Sequence, residues 1–432
     1  MSLKETLKKI PLIHRCGAEA KEFVRDVRAI CAMKQERRIS RQTPIRVGFL
    51  CQFLPAWPKV EPIYQFMKAD PRFEPYLLCV PSDVERGKRV SSRWEENDTY
   101  DYFCNYGYTE AINVQTGPDQ WLDLKELGIA YVFYPRPYNP RMPRCYQTDV
   151  VARYCQICMI MYGISTTEEI TRITLNRNFM RYVSLYFAET TFAREVNAKK
   201  CALGHKLGLQ QSVCLGYPSF EKLEKMQGTE SPAWEFSENT FRVMWTPRWT
   251  TDKAEGGSNF FTYNEAFLAY AEAHPEVDFL FRPHPLMFEN FLKTGEMTQQ
   301  QVDAFKKRCE ELKNVRLDTE KEYEATFWGS SVMVSDISGM IPEYFNTGKP
   351  VIFCATNMEL KLAQFCEELI GRGCYVANGS QELFAYLEQL QRGEDPLRAD
   401  RKKLIPELFG AAGSGASVRI AEAIAEDAKK RG

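Results

Sequence analysis

Residues 332–343 read Val332-Met333-Val334-Ser335-Asp336-Ile337-Ser338-Gly339-Met340-Ile341-Pro342-Glu343. An apolar, β-branched run passes through small hydroxylated residues straight into a stretch of helical character. That order is a buried strand followed at once by a helix, the unit from which parallel sheets are built. The helix N-terminus expected here would present unpaired N–H groups and the positive end of its dipole, together an anion site. Ser338 adds a hydroxyl donor, Gly339 would let a phosphate approach the backbone, and Glu343 on the first turns is placed to accept from ribose or glycerol hydroxyls. Plain N-capping by Asp336 or Ser338 accounts for the same residues without any ligand.

The same unit recurs on both sides. Phe241–Trp245, Asp278–Phe281 and Pro350–Cys354 read as further strands, with helical patterns over Phe260–His274, Gln299–Lys313, Glu359–Ile370 and, at the end, Ser417–Lys430. Before a polar break near 227–239, the runs Ile45–Leu50, Pro75–Val80, Ala130–Tyr134, Gln156–Ile160 and Leu185–Phe187 have the same character, with a helix at Tyr64–Lys68. The expected architecture is two successive parallel α/β domains, 44–232 and 233–432, the last helix crossing back, behind a basic helical arm at 1–43. Ligands of open α/β sheets sit beyond the carboxyl ends of the strands, here in the cleft between the domains.

Three more strand ends carry chemistry. Phe281-Arg282-Pro283-His284-Pro285 holds a histidine between two prolines, which keep it off a helix. A histidine so held can donate to a phosphate or move a proton near neutral pH, or it can simply be a turn residue. In Trp245-Thr246-Pro247-Arg248-Trp249-Thr250-Thr251-Asp252, Arg248 and the hydroxyls can clamp a phosphate while Trp249 lines the cleft. A packed surface loop is the alternative. In the first half, Met161-Tyr162-Gly163-Ile164-Ser165-Thr166-Thr167 follows a strand, so that Tyr162 or Ser165 would reach an acceptor, unless this is an ordinary turn capped by Thr166.

Composition narrows the classes. The chain has 432 residues, too many for one ordinary core, and at 44% hydrophobic it is too apolar to be disordered. With 56 Lys and Arg against 57 Asp and Glu, nucleic acid is not an expected partner. No apolar run approaches the roughly 18 residues of a membrane span, and no signal-peptide core follows Met1, so a cytosolic location is expected. The 14 cysteines are scattered singly as core thiols, and Cys155 and Cys158 lie together in an apolar run rather than in a redox or zinc motif. Residues 1–43 are cationic, and Phe23, Val24, Val27, Ile30 and Cys31 recur at helical spacing. This arm would lie on an anionic membrane surface, at the inner face of the cell membrane, or pack on its own domain with solvated charges. No G-x-G-x-x-G follows the first strand, and no P-loop, Asp-x-Asp or zinc motif occurs, so no cofactor or metal is expected.

Taken in order, several motifs resemble the CDP-glycerol glycerophosphotransferase family, whose members make wall teichoic acid and related capsule polymers. They are Gly216-Tyr217-Pro218, Trp245-Thr246-Pro247-Arg248-Trp249, Arg282-Pro283-His284-Pro285, Ser335-Asp336-Ile337-Ser338, Lys349-Pro350-Val351-Ile352-Phe353 and Gly413-Ser414-Gly415-Ala416-Ser417-Val418-Arg419-Ile420. The resemblance implies two facing Rossmann-like domains in the GT-B arrangement and a bacterial transferase. A CDP-glycerol or similar CDP-alcohol donor would sit on the second domain, with a polymer or lipid-linked acceptor opposite. The acceptor hydroxyl would attack the β-phosphorus and CMP would leave. His284 would then contact the phosphates, Ser338 the pyrophosphate and Glu343 a hydroxyl, with Gly163, Arg248, Trp249, Arg282, Asp336 and Gly339 lining the site. Two positions depart from the family. Its first-domain Trp-His-Gly, with the presumed catalytic base, aligns with Met161-Tyr162-Gly163, and a tyrosine with pKa about 10 is a poor base. Its Pro-Thr-Trp-Arg aligns with Arg248 at the threonine and Thr250 at the arginine. A metal-independent GT-B glycosyltransferase using a nucleotide sugar, or a non-catalytic nucleotide-binding homologue, are the alternative readings.

Overall fold

The computed structural model describes residues 11–34, 43–134, 136–320, 322–355, 359–411 and 415–431, with side chains in the first helix from residue 19 onward. Residues 1–10 and 35–42 of the expected arm, and Gly413 and Ser414 of the last motif, lie outside the described residues. The first sheet is formed by β1 (Ile45–Cys51), β2 (Phe73–Cys79), β3 (Ile112–Asn113), β4 (Tyr131–Tyr134), β5 (Gln156–Met159), β6 (Leu185–Phe187) and β7 (Gln211–Val213). Its strands are all parallel, in the order β3-β2-β1-β4-β5-β6-β7. The second sheet comprises β8 (Phe241–Thr246), β9 (Val277–Phe281), β10 (Val315–Leu317), β11 (Val332–Ser335), β12 (Val351–Cys354) and β13 (Tyr375–Ala377). It too is parallel, in the order β10-β9-β8-β11-β12-β13. Both orders are doubly wound, with chain direction across the sheet reversing between β1 and β4 and between β8 and β11. Those two reversals are the switch points where such sheets bind ligands.

The central strands are fully buried in the manner of parallel strands covered on both faces, which is why they read as unbroken apolar runs. Cys155 and Cys158 are both buried, the latter within β5.

Helix α1 (Pro11–Lys34) lies on the first domain through Ala29, Ile30 and Met33. Its Asp26 pairs with Arg177 and, at 3.3 Å, with Arg181, which also holds Glu22 at 2.5 Å. Phe23, Val24 and Val27 remain exposed, and Lys21, Arg25 and Arg28 point to solvent with them. Neither of the two arm readings therefore applies to the whole helix. One face is packed on its own domain, and a separate apolar strip faces outward.

Helix α2 (Glu61–Ala69) covers the first sheet, while α3 (Met340–Phe345) follows β11. The last helix, α4 (Ala416–Arg431), leaves the second domain and packs on α2. Tyr131 of β4 donates to Asp427 Oδ2 at 2.8 Å, and Arg72 reaches Glu422 at 2.6 Å. The start of α4 is capped by Glu221, which accepts from the Ser417 N–H at 2.5 Å and the Ser417 hydroxyl at 2.9 Å. One apolar core consequently runs without a break from Phe49 and Ile63 through Ile420 and Ile424 to Met333, Ile341 and Leu404.

Candidate active site

The carboxyl edges of the two sheets face each other. Lys59, in the loop after β1, lies 3.1 Å from Glu343 of α3. After β5, Thr167 forms a backbone bridge with Leu362, and the Glu168 N–H donates to the Lys361 carbonyl at 3.0 Å. These contacts place the loops beyond β1 and β5 against those beyond β11 and β12.

On the second wall, Asp336 organises the switch point. It is 1% exposed, and its carboxylate accepts from the Arg248 N–H at 2.9 Å, the Ser258 hydroxyl at 3.2 Å, and the Asn259 side chain and N–H at 2.8 and 3.2 Å. Burial raises its pKa against these donors. All its acceptor capacity is spent inside the protein, so the expected contact of Asp336 with substrate becomes a structural one: it fixes the loop that carries Arg248.

Arg248 is half-buried. One terminal nitrogen donates to the Ile337 carbonyl at 2.9 Å, while its Nε is buried with no hydrogen-bond partner. Gly256, at φ +101°, lets the guanidinium lie close, since a Cβ there would come within 3.0 Å of Nε. Burial lowers the pKa of Arg248, with Asp336 acting against it. The pKa of His284 is lowered by burial and then by the Arg248 charge, so the ring is neutral at neutral pH. Its Nδ1 lies 3.2 Å from the Leu286 N–H. As acceptor there, the neutral ring carries its proton on Nε2, which makes His284 a donor toward anions. The Trp249 ring stands 6.4 Å from that of His284 and packs against the apolar cluster of the second domain that includes Trp245 and Phe281. Ser338 is partly exposed, with its hydroxyl 3.4 Å from that of Ser335.

Two expectations on this wall, those for Arg282 and Glu343, are corrected. Arg282 is bound by the buried Asp318 and donates to the Glu320 carbonyl at 2.5 Å, beneath the ring of Tyr323, so it holds the loop after β10 rather than a phosphate. Gly339 stands at φ −66°, open to any residue, and a Cβ there would meet nothing within 4 Å. Helix α3 has only six residues, so its dipole is short. Both oxygens of Glu343 are taken, one by Lys59 and the other by the Tyr323 hydroxyl at 2.6 Å. Its role in this structure is to join the two walls.

On the first wall, Tyr162 lies at the end of β5 with its hydroxyl 3.1 Å from that of Tyr138 and its ring edge-on to Phe53. Gly163 borders open space. Ser165 is turned away, with its hydroxyl 3.1 Å from that of Thr174, and the helix cap is Thr167, not Thr166. Arg136, just past β4, lies over the rings of Phe53 at 4.3 Å and Tyr138 at 5.3 Å. Lys59 also donates to Ser219 at 2.6 Å. Sequence reasoning did not single out Arg136, Tyr138, Lys59 or Tyr323. The first two follow an identified strand and were within its reach; nothing local marks the others.

Among the described residues no cluster of three or more His, Cys, Asp or Glu could hold a metal ion. What the facing walls offer is a fixed cation, a neutral histidine donor and hydroxyls. That set suits stabilising and positioning a phosphoryl group more than covalent catalysis.

Two doubly wound domains facing across such a cleft are the GT-B arrangement. Residues 189–425, more than half of the chain, match the family described as CDP-Glycerol:Poly(glycerophosphate) glycerophosphotransferase. The chain belongs to that family. No curated protein sequence matches it. Among solved structures it is similar to a putative UDP-N-acetylglucosamine 2-epimerase from Listeria monocytogenes, at 13% identity and TM-score 0.59 over 89% of this chain and 97% of that one. The UDP-GlcNAc 2-epimerase from Neisseria meningitidis, bound to UDP-GlcNAc, gives 14%, 0.58, 88% and 99%. The wall teichoic acid polymerase TagF gives 12%, 0.53, 96% and 98%. At such identities the likeness is one of fold.

Proposed function

We propose that this protein transfers a glycerol-phosphate or similar alditol-phosphate group from a CDP-alcohol to an acceptor hydroxyl in wall polymer synthesis, releasing CMP. The carrying observation is Arg248 beside His284 at the second switch point, within the family-matched region. Among the described residues the Arg248 guanidinium has no ion-pair partner and donates only to the Ile337 carbonyl, so its charge is open to a pyrophosphate. A similar TagF structure was soaked with CDPG, which supports the same choice of donor.

Arg248 would offset the pyrophosphate charge as the bond to CMP opens, with the Nε2–H of His284 and the Ser338 hydroxyl as hydrogen-bond donors. On the opposite wall, Tyr162 would orient the attacking hydroxyl. Its partner Tyr138 is pushed up to about 12 by burial and by the hydroxyl pairing, so Tyr138 enters as a protonated phenol. In a loose phosphoryl-transfer transition state the nucleophile needs little activation, so its proton can leave late, to the departing CMP phosphate or to water, and a tyrosine in place of the family histidine is compatible with turnover. Calorimetry tests the donor. CDP-glycerol is expected to bind, and Arg248→Gln to weaken it at least about tenfold. Binding of UDP-GlcNAc with none of CDP-glycerol would instead favour a nucleotide-sugar glycosyltransferase.

We also infer that α1 rests on an anionic membrane surface, where a lipid-linked acceptor would be met. Phe23, Val24 and Val27 share one exposed face, flanked by the exposed Lys21, Arg25 and Arg28. No helix of the described residues is long and apolar enough to cross a membrane. Sedimentation with phosphatidylglycerol vesicles but not phosphatidylcholine vesicles, lost in Phe23→Ser/Val27→Ser, is expected. Failure to sediment with either removes the membrane role.

A further inference from the structure

We infer that Arg136 is the binding residue for an anionic group on the acceptor, a phosphate or phosphodiester, at the switch point of the first sheet. The inference rests on the transfer reaction proposed above and adds the charge and placement of its second substrate.

Arg136 follows β4, and Phe53 follows β1, so the pair spans the crevice between the strands at which the first sheet reverses. The guanidinium is half-buried over the Phe53 and Tyr138 rings, and among the described residues it has no carboxylate and no hydrogen-bond partner. Ring contacts satisfy no hydrogen-bond donor of a guanidinium in full, so its N–H groups remain available to an anion. Burial without a counter-ion disfavours the charge, and the lowered pKa of Arg136 follows from that burial. Its cationic neighbour Arg141, by contrast, is neutralised by Glu85 at 2.7 Å.

The loop bearing Arg136 is also held firmly. Asn176 donates to the Pro137 carbonyl at 2.9 Å, Gln52 donates to the Arg141 carbonyl, and Asn139 exchanges two bonds of 2.9 Å with Thr148. A cation kept partly desolvated, unpaired and rigid is preorganised for an anion. The Tyr138–Tyr162 hydroxyl pair stands beside it, so one ligand can place a phosphate at Arg136 and a free hydroxyl at the tyrosines. An alditol phosphate has both groups a few bonds apart.

Calorimetric titration of the full chain with glycerol 3-phosphate, glycerol and CDP-glycerol tests this. Wild type is expected to bind glycerol 3-phosphate and not glycerol. Arg136→Gln should weaken glycerol 3-phosphate at least about tenfold, Arg136→Lys should recover part of that loss, and CDP-glycerol affinity should stay within about twofold in both. The melting temperature of Arg136→Gln should stay near that of wild type, because two ring contacts but no internal hydrogen bond or ion pair among the described residues are lost. Unchanged glycerol 3-phosphate affinity, or no binding by wild type, overturns the inference. Equal loss of CDP-glycerol would assign Arg136 to the donor, and a large fall in melting temperature would assign it to the fold; either overturns it. If CDP-glycerol fails to bind while glycerol 3-phosphate binds in an Arg136-dependent way, the proposed donor falls and the anion site stands.

Discussion

Lys59 Nζ lies 3.1 Å from Glu343 Oε1, joining the loop after the first strand of one sheet to the helix after the fourth strand of the other. The two residues are 284 positions apart. With side chains only 12% and 16% exposed, this pair is screened far less than a surface ion pair. Removing either partner leaves the other partly buried and charged, so the pair couples the two walls energetically. Lys59→Met is expected to cost about 1–3 kcal/mol, and Lys59→Met/Glu343→Gln less than the sum of the single changes. Denaturant unfolding of the four-member cycle reads this directly, and strict additivity would show the walls to be uncoupled here.

Two arginines that follow strands, Arg282 and Arg248, have different fates, and substitution should separate them. Arg282 neutralises Asp318, which is 2% exposed, so Arg282→Gln should lower stability by about 2–4 kcal/mol. Among the described residues Arg248 pairs with no carboxylate, so Arg248→Gln should leave the melting temperature near that of wild type. Thermal unfolding of the two variants side by side is the measurement.

The Arg248 charge also holds down His284. A histidine whose folded-state pKa is depressed contributes stability above its unfolded pKa of about 6.5, which is lost as pH falls through the folded value. An NMR titration of the His284 ring should give a midpoint below 6.5 in wild type and a higher midpoint in Arg248→Gln. An unmoved midpoint would show that the two side chains do not sense each other.

Glu189, at the end of β6, is buried, accepts from the Tyr186 hydroxyl at 2.7 Å, and is pushed up to about 7 by burial. The fold therefore favours the protonated acid. Below about pH 4.5 both folded and unfolded states hold the proton and no penalty exists; stability then falls as pH rises to about 7 and stays lower beyond it. Glu189→Gln, which keeps an acceptor for Tyr186, should be more stable than wild type at pH 8, by on the order of 3 kcal/mol at most, and equal to it near pH 4.5. Denaturant midpoints at the two pH values check the sign.

Gly216 stands at φ +93°, and a Cβ there would lie 2.5 Å from the Ala411 carbonyl oxygen. Arg419 ties the same place together, donating to the Leu215 and Ala411 carbonyls at 2.8 and 3.3 Å. Gly216→Ala should cost about 1–3 kcal/mol and open the start of α4 to limited proteolysis before the rest of the chain. Cleavage no faster than in wild type would mean that the junction tolerates a side chain.

The buried central strands were readable because a parallel strand covered on both faces must be apolar along its whole length. Val332–Ser335 and Leu185–Phe187 stand where that rule put them. The edge strands Gln211–Val213, Val315–Leu317 and Tyr375–Ala377 escaped it. They are three residues long, pair on one side only and need no continuous apolar run. Among candidate site residues, Arg248, His284, Ser338 and Tyr162 do stand at strand ends of facing sheets. Asp336, Ser165 and Glu343 stand there as well, but with their polar atoms engaged within the protein.

Hydrophobic periodicity and the short polar stretches after each apolar run were enough to establish two parallel α/β domains and the strand ends that carry their chemistry, because those features arise from local backbone geometry and burial. Which arginine is free and which is spent was decided only in three dimensions. Arg136, Arg248 and Arg282 look alike in sequence, each one to two residues past a strand. Among the described residues only Arg282 meets a carboxylate, and it comes from the end of a strand packed alongside, 36 residues away. A side chain's availability depends on what the folded chain brings within about 3 Å of it, and that distance is not encoded near the residue itself.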